Sequence, residues 1–412
     1  MKVWLVTHGC RANQYDSHAV RAMLEAGGHA IAAAPEEADA AVYNSCAVTQ
    51  EAEADLRQAV RRAARKNPRL RSVVMGCAAA LDRGEIAALP TVERVVGGAA
   101  IDEVARALGV DPALAARRSG SQPGARALLR IQDGCDEHCT FCATTVARGA
   151  ARSRPASALV DEAATLAEHH AEIVLTGVHI GAYGRDLGTS LGALVATLIA
   201  RVPAVRFRLS SVEATEVDGA LAELLAGDPR RLAPWLHAPL QSGSDAVLRR
   251  MGRHWYRGAT YARAVERIVE RAPVFGLGAD VIAGFPGECE EDHRATMALI
   301  ASLPFTALHV FPYSPRAGTA ATRLPDAVPA DVARRRAAEL RALAEAKAAA
   351  HRLARAGSAA DVVVIGGGAE REGITEDHLT LGMRAPAPPR GARVRATLEL
   401  EGGALFARAE AR

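Results

Sequence analysis

The sequence lacks any long uninterrupted run of apolar residues. Although 49% of its 412 residues are hydrophobic, the apolar stretches are short and broken by charged or small residues. A membrane-crossing helix needs about 20 mostly apolar residues, so we expect no membrane partner. The first residues, MKVWLVTHGC, have the pattern of a strand rather than that of a signal peptide. We therefore expect a cytoplasmic protein whose thiols stay reduced.

Lysine and aromatic residues are also scarce. Lys2, Lys66 and Lys347 are the only lysines among 50 basic residues, and aromatic residues make up 4% of the chain. Arginine suits bidentate contacts to phosphate, but the abundance of alanine beside it points more simply to a GC-rich coding sequence. With a net charge of +3, the composition neither requires nor excludes an RNA partner.

Six of the seven cysteines fall into two groups of three. One group is a compact Cys-x3-Cys-x2-Cys loop, and each member of the other closes an apolar, strand-like run. The groups are Cys135, Cys139 and Cys142 in the loop, and Cys10, Cys46 and Cys77 near the start of the chain. A cubane iron–sulfur cluster is usually held by four thiolates. Three thiolates leave one iron without a protein ligand. Catalytic zinc sites also keep one open coordination position, so by analogy we expect a reactive cluster.

A structural zinc site is the competing interpretation of the loop. Zinc sites usually show paired Cys-x2-Cys knuckles or histidines at matching spacing. The loop contains His138 but no second pair of cysteines. The pattern therefore favours an iron–sulfur cluster. The seventh cysteine, Cys289, stands alone and is interpreted as a packing thiol.

Strand-like and helical patterns alternate from residue 1 to about residue 118. This alternation predicts a doubly wound parallel sheet under helical crossovers. Ligands of such sheets gather outside the carboxyl ends of the strands. Because Cys10, Cys46 and Cys77 each stand at that end of a successive predicted strand, we expect them to converge.

A segment rich in glycine, serine and proline, RRSGSQPGAR, separates this part from six further strand-like runs. Helical patterns lie between the runs, and each run becomes polar at its carboxyl end. This arrangement is typical of a β/α barrel with its site at the top. Six units instead of eight predict an incomplete (β/α)6 barrel with a lateral opening. A long helix that stops at Gly357 completes this domain.

The final residues contain alternating runs separated by turns, which predicts a small antiparallel β-barrel. Within them, VVVIGGGAER resembles the start of a dinucleotide fold, but Arg371 stands where the third glycine would be. We interpret this run as a turn between two strands. The sequence thus predicts an α/β protein of three domains, residues 1–118, 119–357 and 358–412.

The loop IQDGCDEHCTFC resembles the signature of the radical S-adenosylmethionine (SAM) family. The segments THGCRANQYDS, VYNSCAVTQEAEAD and VMGCAAA are similar to the amino-terminal domain of radical-SAM methylthiotransferases. Three segments, GCRANQYDS, TGVHIGAYGRDL and LHVFPYSPRAGTAA, are most similar to the branch that modifies N6-threonylcarbamoyladenosine in tRNA. The last domain resembles the RNA-binding TRAM module.

The resemblance implies two [4Fe–4S] clusters and SAM as cofactors. The loop cysteines would bind the cluster that generates a radical, and Cys10, Cys46 and Cys77 would bind an auxiliary cluster. One SAM would methylate a sulfur on the auxiliary cluster, and a second would supply the radical for methylthio transfer to C2 of the adenine. Candidate SAM contacts are Phe141, Thr176, Gly177, Val178, Ser211, Glu213 and Gln241. The alternative for the last six is that they have no role in SAM binding and are polar only because strand ends at the top of a barrel generally are.

The implied partners are the anticodon loop of tRNA and an electron donor such as flavodoxin or ferredoxin. Three alternatives stay open: methylthiolation of isopentenyladenosine in tRNA, methylthiolation of a ribosomal-protein aspartate, and a non-catalytic, RNA-binding iron–sulfur redox sensor. Arg148, Arg152 and Arg154 follow the cysteine loop and are candidates either for RNA phosphate contacts or for an exposed basic turn.

Overall fold

The computed structural model describes residues 1–47, 50–116, 120–316, 318–366 and 371–410. The predicted domain boundary between residues 118 and 119 lies outside these ranges. The elements of the first domain are β1 (Lys2–Thr7), α1 (Arg11–Ala26), β2 (Ala30–Ile31), β3 (Ala40–Ser45), α2 (Gln50–Lys66), β4 (Arg71–Gly76), α3 (Cys77–Ala80), β5 (Val92–Gly97) and α4 (Ile101–Leu108). The strands form a parallel sheet in the order β2-β1-β3-β4-β5.

Helices cover both faces of this sheet. Ala40 and Val42 of β3 pack in one core with α1 and α4, whereas Ala41 and Tyr43 pack in a second core with α2 and α3. Every residue of β3 is buried, as expected for a parallel strand that is covered on both sides. The doubly wound sheet predicted from the sequence is confirmed.

The middle domain is built from β6 (Ala127–Arg130), β7 (Gln132–Asp133), α5 (Thr144–Arg148), β8 (Arg152–Ser153), α6 (Ala156–Ala167), β9 (Glu172–Thr176), α7 (Leu191–Arg201), β10 (Arg206–Leu209), α8 (Gly219–Ala226), β11 (Trp235–His237), α9 (Asp245–Arg250), α10 (Gly258–Val269), β12 (Gly276–Ala283), α11 (Glu290–Ser302), β13 (Ala307–Pro312) and α12 (Ala330–Arg355). Strands β6, β9 and β10 form one parallel sheet, and β11, β12 and β13 form another. Bridges from Phe207 to Leu232 and from Ser211 to His237 join the two sheets. Among the described strands β6 and β13 do not pair, so the barrel is open, as its six units predict.

The barrel has an apolar outer face and a strongly polar inner face. In β10, Phe207 and Leu209 pack in the core that includes the outer helices, and Arg206 and Arg208 lie on the opposite face, fully buried. Both arginines bind Glu172 of β9, with Nε–Oε distances of 2.6 and 2.8 Å. Buried charges are stable only when they are paired in this way.

The last domain is a closed barrel of β14 (Ala359–Val364), β15 (Glu372–Ile374), β16 (Thr380–Met383), β17 (Arg393–Glu401) and β18 (Ala404–Ala409). Its order is β14-β15-β16-β18-β17, and the predicted small β-barrel is confirmed. Its pairings are antiparallel except for β16 with β18, which is parallel. A closed ring with an odd number of strands cannot alternate in direction throughout, so one parallel pair is required.

The small barrel closes one end of the large barrel. The loop between β15 and β16 lies beside the amino ends of β11 and β12, where His378 stacks on Trp235 with ring centroids 4.1 Å apart. Arg208 donates from Nη2 to the carbonyl oxygen of Thr375 at 2.8 Å. Gly276 is required at this contact, because a Cβ there would lie 2.1 Å from the carbonyl oxygen of Asp377.

The first domain covers the top of the open barrel and contacts both of its edges. On the β6 side, Asp16 of α1 pairs with Arg130, and Tyr15 donates to Glu162 at 2.8 Å. On the β13 side, Arg316 and Glu53 form an ion pair at 3.3 Å. No helix in the described part of the chain combines the length and apolarity that crossing a membrane would require.

Replacing Glu172 by Gln removes the carboxylate that Arg126, Arg206 and Arg208 share. Because Arg208 then has no counter-ion among the described residues and Arg206 keeps only Asp361, we expect the free energy of unfolding to fall by about 3–5 kcal/mol, measured by urea unfolding. Glu223→Gln, which breaks an exposed ion pair, is the matched control and should cost less than about 1 kcal/mol. Equal losses in the two variants would contradict a structural role for the Glu172 network.

Candidate functional site

Three cysteines of the first domain stand where adjacent parallel strands end. Cys10 precedes α1 after β1, Cys46 follows β3, and Cys77 opens α3 directly after β4. Since β1, β3 and β4 are neighbours in the sheet, their carboxyl ends share one edge. The topology therefore brings these residues, remote in sequence, to one place.

Asn13 marks the centre of this cysteine group. Its Oδ1 lies 3.9 Å from the sulfur of Cys10 and 4.0 Å from the sulfur of Cys77. Cys46 closes the group from the other side of Gly9: a Cβ placed on Gly9 would lie 2.6 Å from Cβ and 2.8 Å from Sγ of Cys46. We call Cys10, Cys46 and Cys77 the sheet cysteines.

Arg148, at the end of α5, connects the sheet cysteines to the barrel. Its Nε donates to the sulfur of Cys77 at 3.4 Å, and its Nη2 donates to Oδ1 of Asn13 at 2.6 Å. Burial raises the pKa of the Cys77 thiol, while Arg148 acts in the opposite direction. The interpretation of Arg148 as part of an exposed basic turn is wrong, because its side chain is 2% exposed and pairs with Asp16 at 2.9 Å.

The second cysteine group lies in the loop between β7 and α5. Gln132 anchors this loop: its Nε2 donates to the carbonyl of Gly134 at 2.7 Å, and its Oε1 accepts from the amides of Val178 and His179 at 3.2 and 2.8 Å. The loop turns tightly at its end, where the amide of Cys142 donates to the carbonyl of Cys139 at 3.1 Å. The start of the loop, with Cys135, is thereby held against the carboxyl end of β9.

Cationic or protonatable groups contact two sulfurs of the loop. Arg253 donates from Nη1 to the sulfur of Cys139 at 3.4 Å, and Nδ1 of His179 lies 3.6 Å from the sulfur of Cys135. Burial raises the pKa of the Cys139 thiol to about 12, with Arg253 opposing it. Burial lowers the pKa of His179, but its bonds to Cys135 and Glu216 outweigh this and raise it to about 10.

The residues predicted to contact SAM separate into two sets. Thr176, Gly177, Val178 and Ser211 line one cavity with the sheet cysteines. The others lie elsewhere: Glu213 binds Arg253 and accepts from Nε1 of Trp255 at 2.6 Å, Phe141 packs edge-on against Phe285 at 6.3 Å, and the backbone of Gln241 bridges to β12. Glu213 therefore also positions the arginine that contacts Cys139.

The cavity lies inside the large barrel and has a volume of about 560 Å³. We call it the barrel cavity. Its walls come from all three domains: the sheet cysteines, the carboxyl ends of β9 and β10, and His378 of the small barrel. A volume of this size is within the range of small-molecule sites. The open barrel is therefore closed around a space that the sheet cysteines face.

Three residues of the cavity form a cluster that the sequence analysis did not identify. His237, Asp280 and His309 present ligand-type atoms within 4.8 Å of one another. Oδ2 of Asp280 lies 3.2 Å from His237, and Oδ1 lies 3.3 Å from His309. The bond to Asp280 raises the pKa of His309. Only the register of β11, β12 and β13 brings the three together, so no local motif could have revealed them.

Two family models match this chain, and each matched range contains one of the cysteine groups. Residues 2–98 match the uncharacterized protein family UPF0004, and residues 129–300 match the radical SAM superfamily. Threonylcarbamoyladenosine tRNA methylthiotransferase MtaB of Thermotoga maritima is 36% identical over 348 residues, 79% of this chain and 78% of that protein. MtaB of Bacillus subtilis is 36% identical over 359 residues, 82% of this chain and 79% of that protein. This chain belongs to the radical-SAM methylthiotransferases.

A third relative is named for a different substrate. The tRNA-2-methylthio-N(6)-dimethylallyladenosine synthase of Parafrankia sp. is 35% identical over 395 residues, 90% of this chain and 79% of that protein. Membership of this family makes the chain a transferase that uses SAM and a [4Fe–4S] cluster. The non-catalytic redox sensor is therefore not supported.

Solved structures share the fold at low sequence identity. The radical SAM methyltransferase TsrM of Kitasatospora setae aligns with a TM-score of 0.57 at 16% identity, covering 75% of this chain and 72% of that chain. The cobalamin-dependent SAM radical enzyme OxsB aligns with a TM-score of 0.54 at 11% identity, covering 78% of this chain and 54% of that chain. These similarities concern architecture alone.

Both cysteine groups of this methylthiotransferase fit the thiolate chemistry of iron–sulfur clusters. All seven cysteines are free of disulfides, and sulfur is the soft ligand that iron–sulfur clusters require. Arg148 and Arg253 donate to one sulfur in each group, as suits thiolates bound to a cluster, whose properties hydrogen bonds adjust. Cys289 belongs to neither group and is exposed at the start of α11, so its interpretation as a packing thiol is wrong.

Gly9 and Gly84 provide a matched pair of substitutions, because their φ angles are +104° and +103°. An alanine is equally strained at both, but only at Gly9 does the new Cβ collide, with Cys46; at Gly84 nothing lies within 4 Å. We expect Gly9→Ala to lower the free energy of unfolding by about 1–3 kcal/mol more than Gly84→Ala. Thermal unfolding of the metal-free proteins measures the difference. Equal losses would mean that Gly9 does not press on Cys46.

Proposed function

We propose that this enzyme methylthiolates C2 of N6-threonylcarbamoyladenosine beside the anticodon of tRNA, using two SAM molecules and two [4Fe–4S] clusters. The observation that carries the proposal is the barrel cavity, whose wall contains both the sheet cysteines and the carboxyl ends of the barrel strands. Relatives named for this substrate, at 36% identity over most of the chain, support it.

Each cluster is assigned to one cysteine group. Cys135, Cys139 and Cys142 hold the cluster to which SAM binds, and the sheet cysteines hold the auxiliary cluster that carries the sulfur for transfer. Each group supplies three thiolates to a cubane with four irons, so that one iron of each stays open. Arg148 spans the space between the groups, because it follows Cys142 by one short helix and contacts Cys77.

The reaction needs a radical because the adenine C2–H bond has no acidic proton. General acid–base groups would gain little there, whereas SAM bound to its cluster supplies a carbon radical that can attack such a bond. The protein's own task is positioning and the exclusion of water. The small barrel closes the lower end of the cavity through His378 and Trp235, and the first domain covers its top.

We propose the same SAM contacts as the sequence does, but the structure supports some of these residues better than others. Thr176, Gly177, Val178 and Ser211 line the cavity and are placed to contact SAM. Phe141 lies between two loop cysteines and is half-buried against the barrel core, which suits packing on the adenine of SAM. Glu213 acts on SAM less directly, because its carboxylate is engaged by Arg253 and Trp255. Gln241 presents a polar side chain at the end of the fourth barrel strand.

RNA binding and electron delivery complete the proposal. The target base has to be splayed from its neighbours to enter the cavity, which an anticodon loop permits more readily than a duplex. We assign RNA contact to the small barrel, where Arg395 and Arg408 are exposed on the outer face of β17 and β18. A small reductant such as flavodoxin or ferredoxin would supply the electron.

Isopentenyladenosine is the second candidate substrate, because the Parafrankia relative named for it is 35% identical over 90% of this chain. The chemistry of the cavity favours the first candidate. An isopentenyl group is a hydrocarbon and offers no partner to the polar side chains that share this cavity with apolar ones, namely Arg11, His237, Asp280 and His309. A threonylcarbamoyl group carries a carboxylate, a hydroxyl and amide groups, which such side chains can bind.

The two-cluster assignment predicts the iron content of cysteine variants. Reconstituted enzyme should hold about eight irons per chain, four in each cubane. A Cys10→Ala, Cys46→Ala, Cys77→Ala variant should retain about half of that iron and still cleave SAM to 5′-deoxyadenosine, because the loop cysteines are intact. Cys289→Ala is the control and should keep all of the iron. Loss of SAM cleavage in the folded triple variant would contradict the division of roles.

The substrate assignment is tested with three anticodon stem-loops that differ only in the base beside the anticodon: threonylcarbamoyladenosine, isopentenyladenosine and adenosine. We expect methylthio product from the first alone, detected by mass analysis of the nucleosides. Preferential reaction of the isopentenyl RNA would show that isopentenyladenosine is the substrate. Reaction of none of them, with SAM cleavage intact, would favour a protein substrate.

A further inference from the structure

Arg11 lies in the wall of the barrel cavity and has no counter-ion among the residues that the structure describes. It is the first residue of α1 and follows Cys10 directly, and its side chain lines the same cavity as the sheet cysteines. Within the described ranges it forms neither an ion pair nor a hydrogen bond through its side chain. The buried arginines Arg148, Arg206 and Arg253 each bind a carboxylate, so Arg11 differs from them in kind.

The surroundings of Arg11 make this arrangement unfavourable for the empty protein. Arg126 and Arg208 lie close enough to repel its charge, and Glu172 is the attracting carboxylate nearby. That carboxylate is already occupied, because Arg126, Arg206 and Arg208 all bind it. A partly desolvated charge without a partner costs free energy. An anion that entered the cavity would recover this cost and would meet a guanidinium that no other group competes for.

The substrate offers a suitable anion. Adenine and isopentenyl groups are uncharged, whereas the threonylcarbamoyl group ends in a carboxylate. A guanidinium binds a carboxylate through two parallel hydrogen bonds, a geometry that adds specificity as well as energy. Because Arg11 adjoins Cys10, an anion bound there would hold the modified base beside the sheet cysteines.

We infer that Arg11 binds the carboxylate of the threonylcarbamoyl group and is the residue that selects this modified base over adenosine and isopentenyladenosine. The inference rests on the proposed function, since it assigns a recognition residue to that substrate. A phosphate of the RNA and the carboxylate of SAM are two other anions that a guanidinium could bind. The experiment is therefore built to separate the three.

The test uses anticodon stem-loops that carry either the free threonylcarbamoyl acid or its methyl ester, which has the same connectivity without the charge. With the natural enzyme, kcat/KM for the acid should exceed that for the ester by about 10- to 100-fold, the range of a hydrogen bond to a charged group. In Arg11→Gln this ratio should fall to near 1, and Arg11→Lys should restore part of it. Arg21→Gln, on the same helix but outside the cavity, should keep the natural ratio.

Each other outcome overturns the inference in a distinguishable way. Equal kcat/KM values for the acid and the ester with the natural enzyme would show that no cation binds the carboxylate. This conclusion would not depend on the results with the variants. A similar loss on both substrates in Arg11→Gln, with their ratio kept, would assign Arg11 to an RNA phosphate or to SAM. If the natural enzyme modified neither RNA, the proposed function itself would fail.

Discussion

Asp16 joins the first domain to the barrel through two buried ion pairs, and these pairs place the cysteine groups relative to each other. This carboxylate on α1 is buried and pairs with Arg130 of β6 and Arg148 of α5, so it fixes the first domain on the barrel. Removing one partner from a buried pair is costly, which makes this docking rigid. Arg148 also donates to Cys77. The same contact that joins the domains therefore sets the position of the sheet cysteines relative to the cysteine loop.

The inner face of the barrel is polar because the barrel is incomplete. With six strands and no pairing between β6 and β13, the barrel cannot fill its own centre with apolar layers as a closed eight-stranded barrel does. Instead the inner face carries charged and polar residues, and the neighbouring domains supply their partners. Arg208, which binds Glu172, donates to the loop of the small barrel, while the upper part stays open as a cavity beneath the sheet cysteines.

Much of the architecture was predictable because its signals are local. Strand and helix periodicity predicted the doubly wound sheet, the six barrel units and the small barrel, and all are present. Arg148 was misjudged because an arginine in a polar turn gives no sign that Asp16, 132 positions earlier, will bury it. Glu213 was predicted as a cofactor contact, yet its partners Arg253 and Trp255 come from a different loop and decide what it can touch.

The cysteines able to bind iron, and the place of each in its strand or loop, can be recognised from the sequence, because strand ends and cysteine spacing are encoded over a few residues. The fold had to be known to see which other side chains share a space with the sheet cysteines. His237, Asp280 and His309 meet only through the register of three strands. Arg11 has no counter-ion among the described residues, and Glu172, the nearby carboxylate, pairs with other arginines. Whether a side chain finds a partner depends on how residues that are distant in sequence come together in space, and a local sequence pattern does not contain that information.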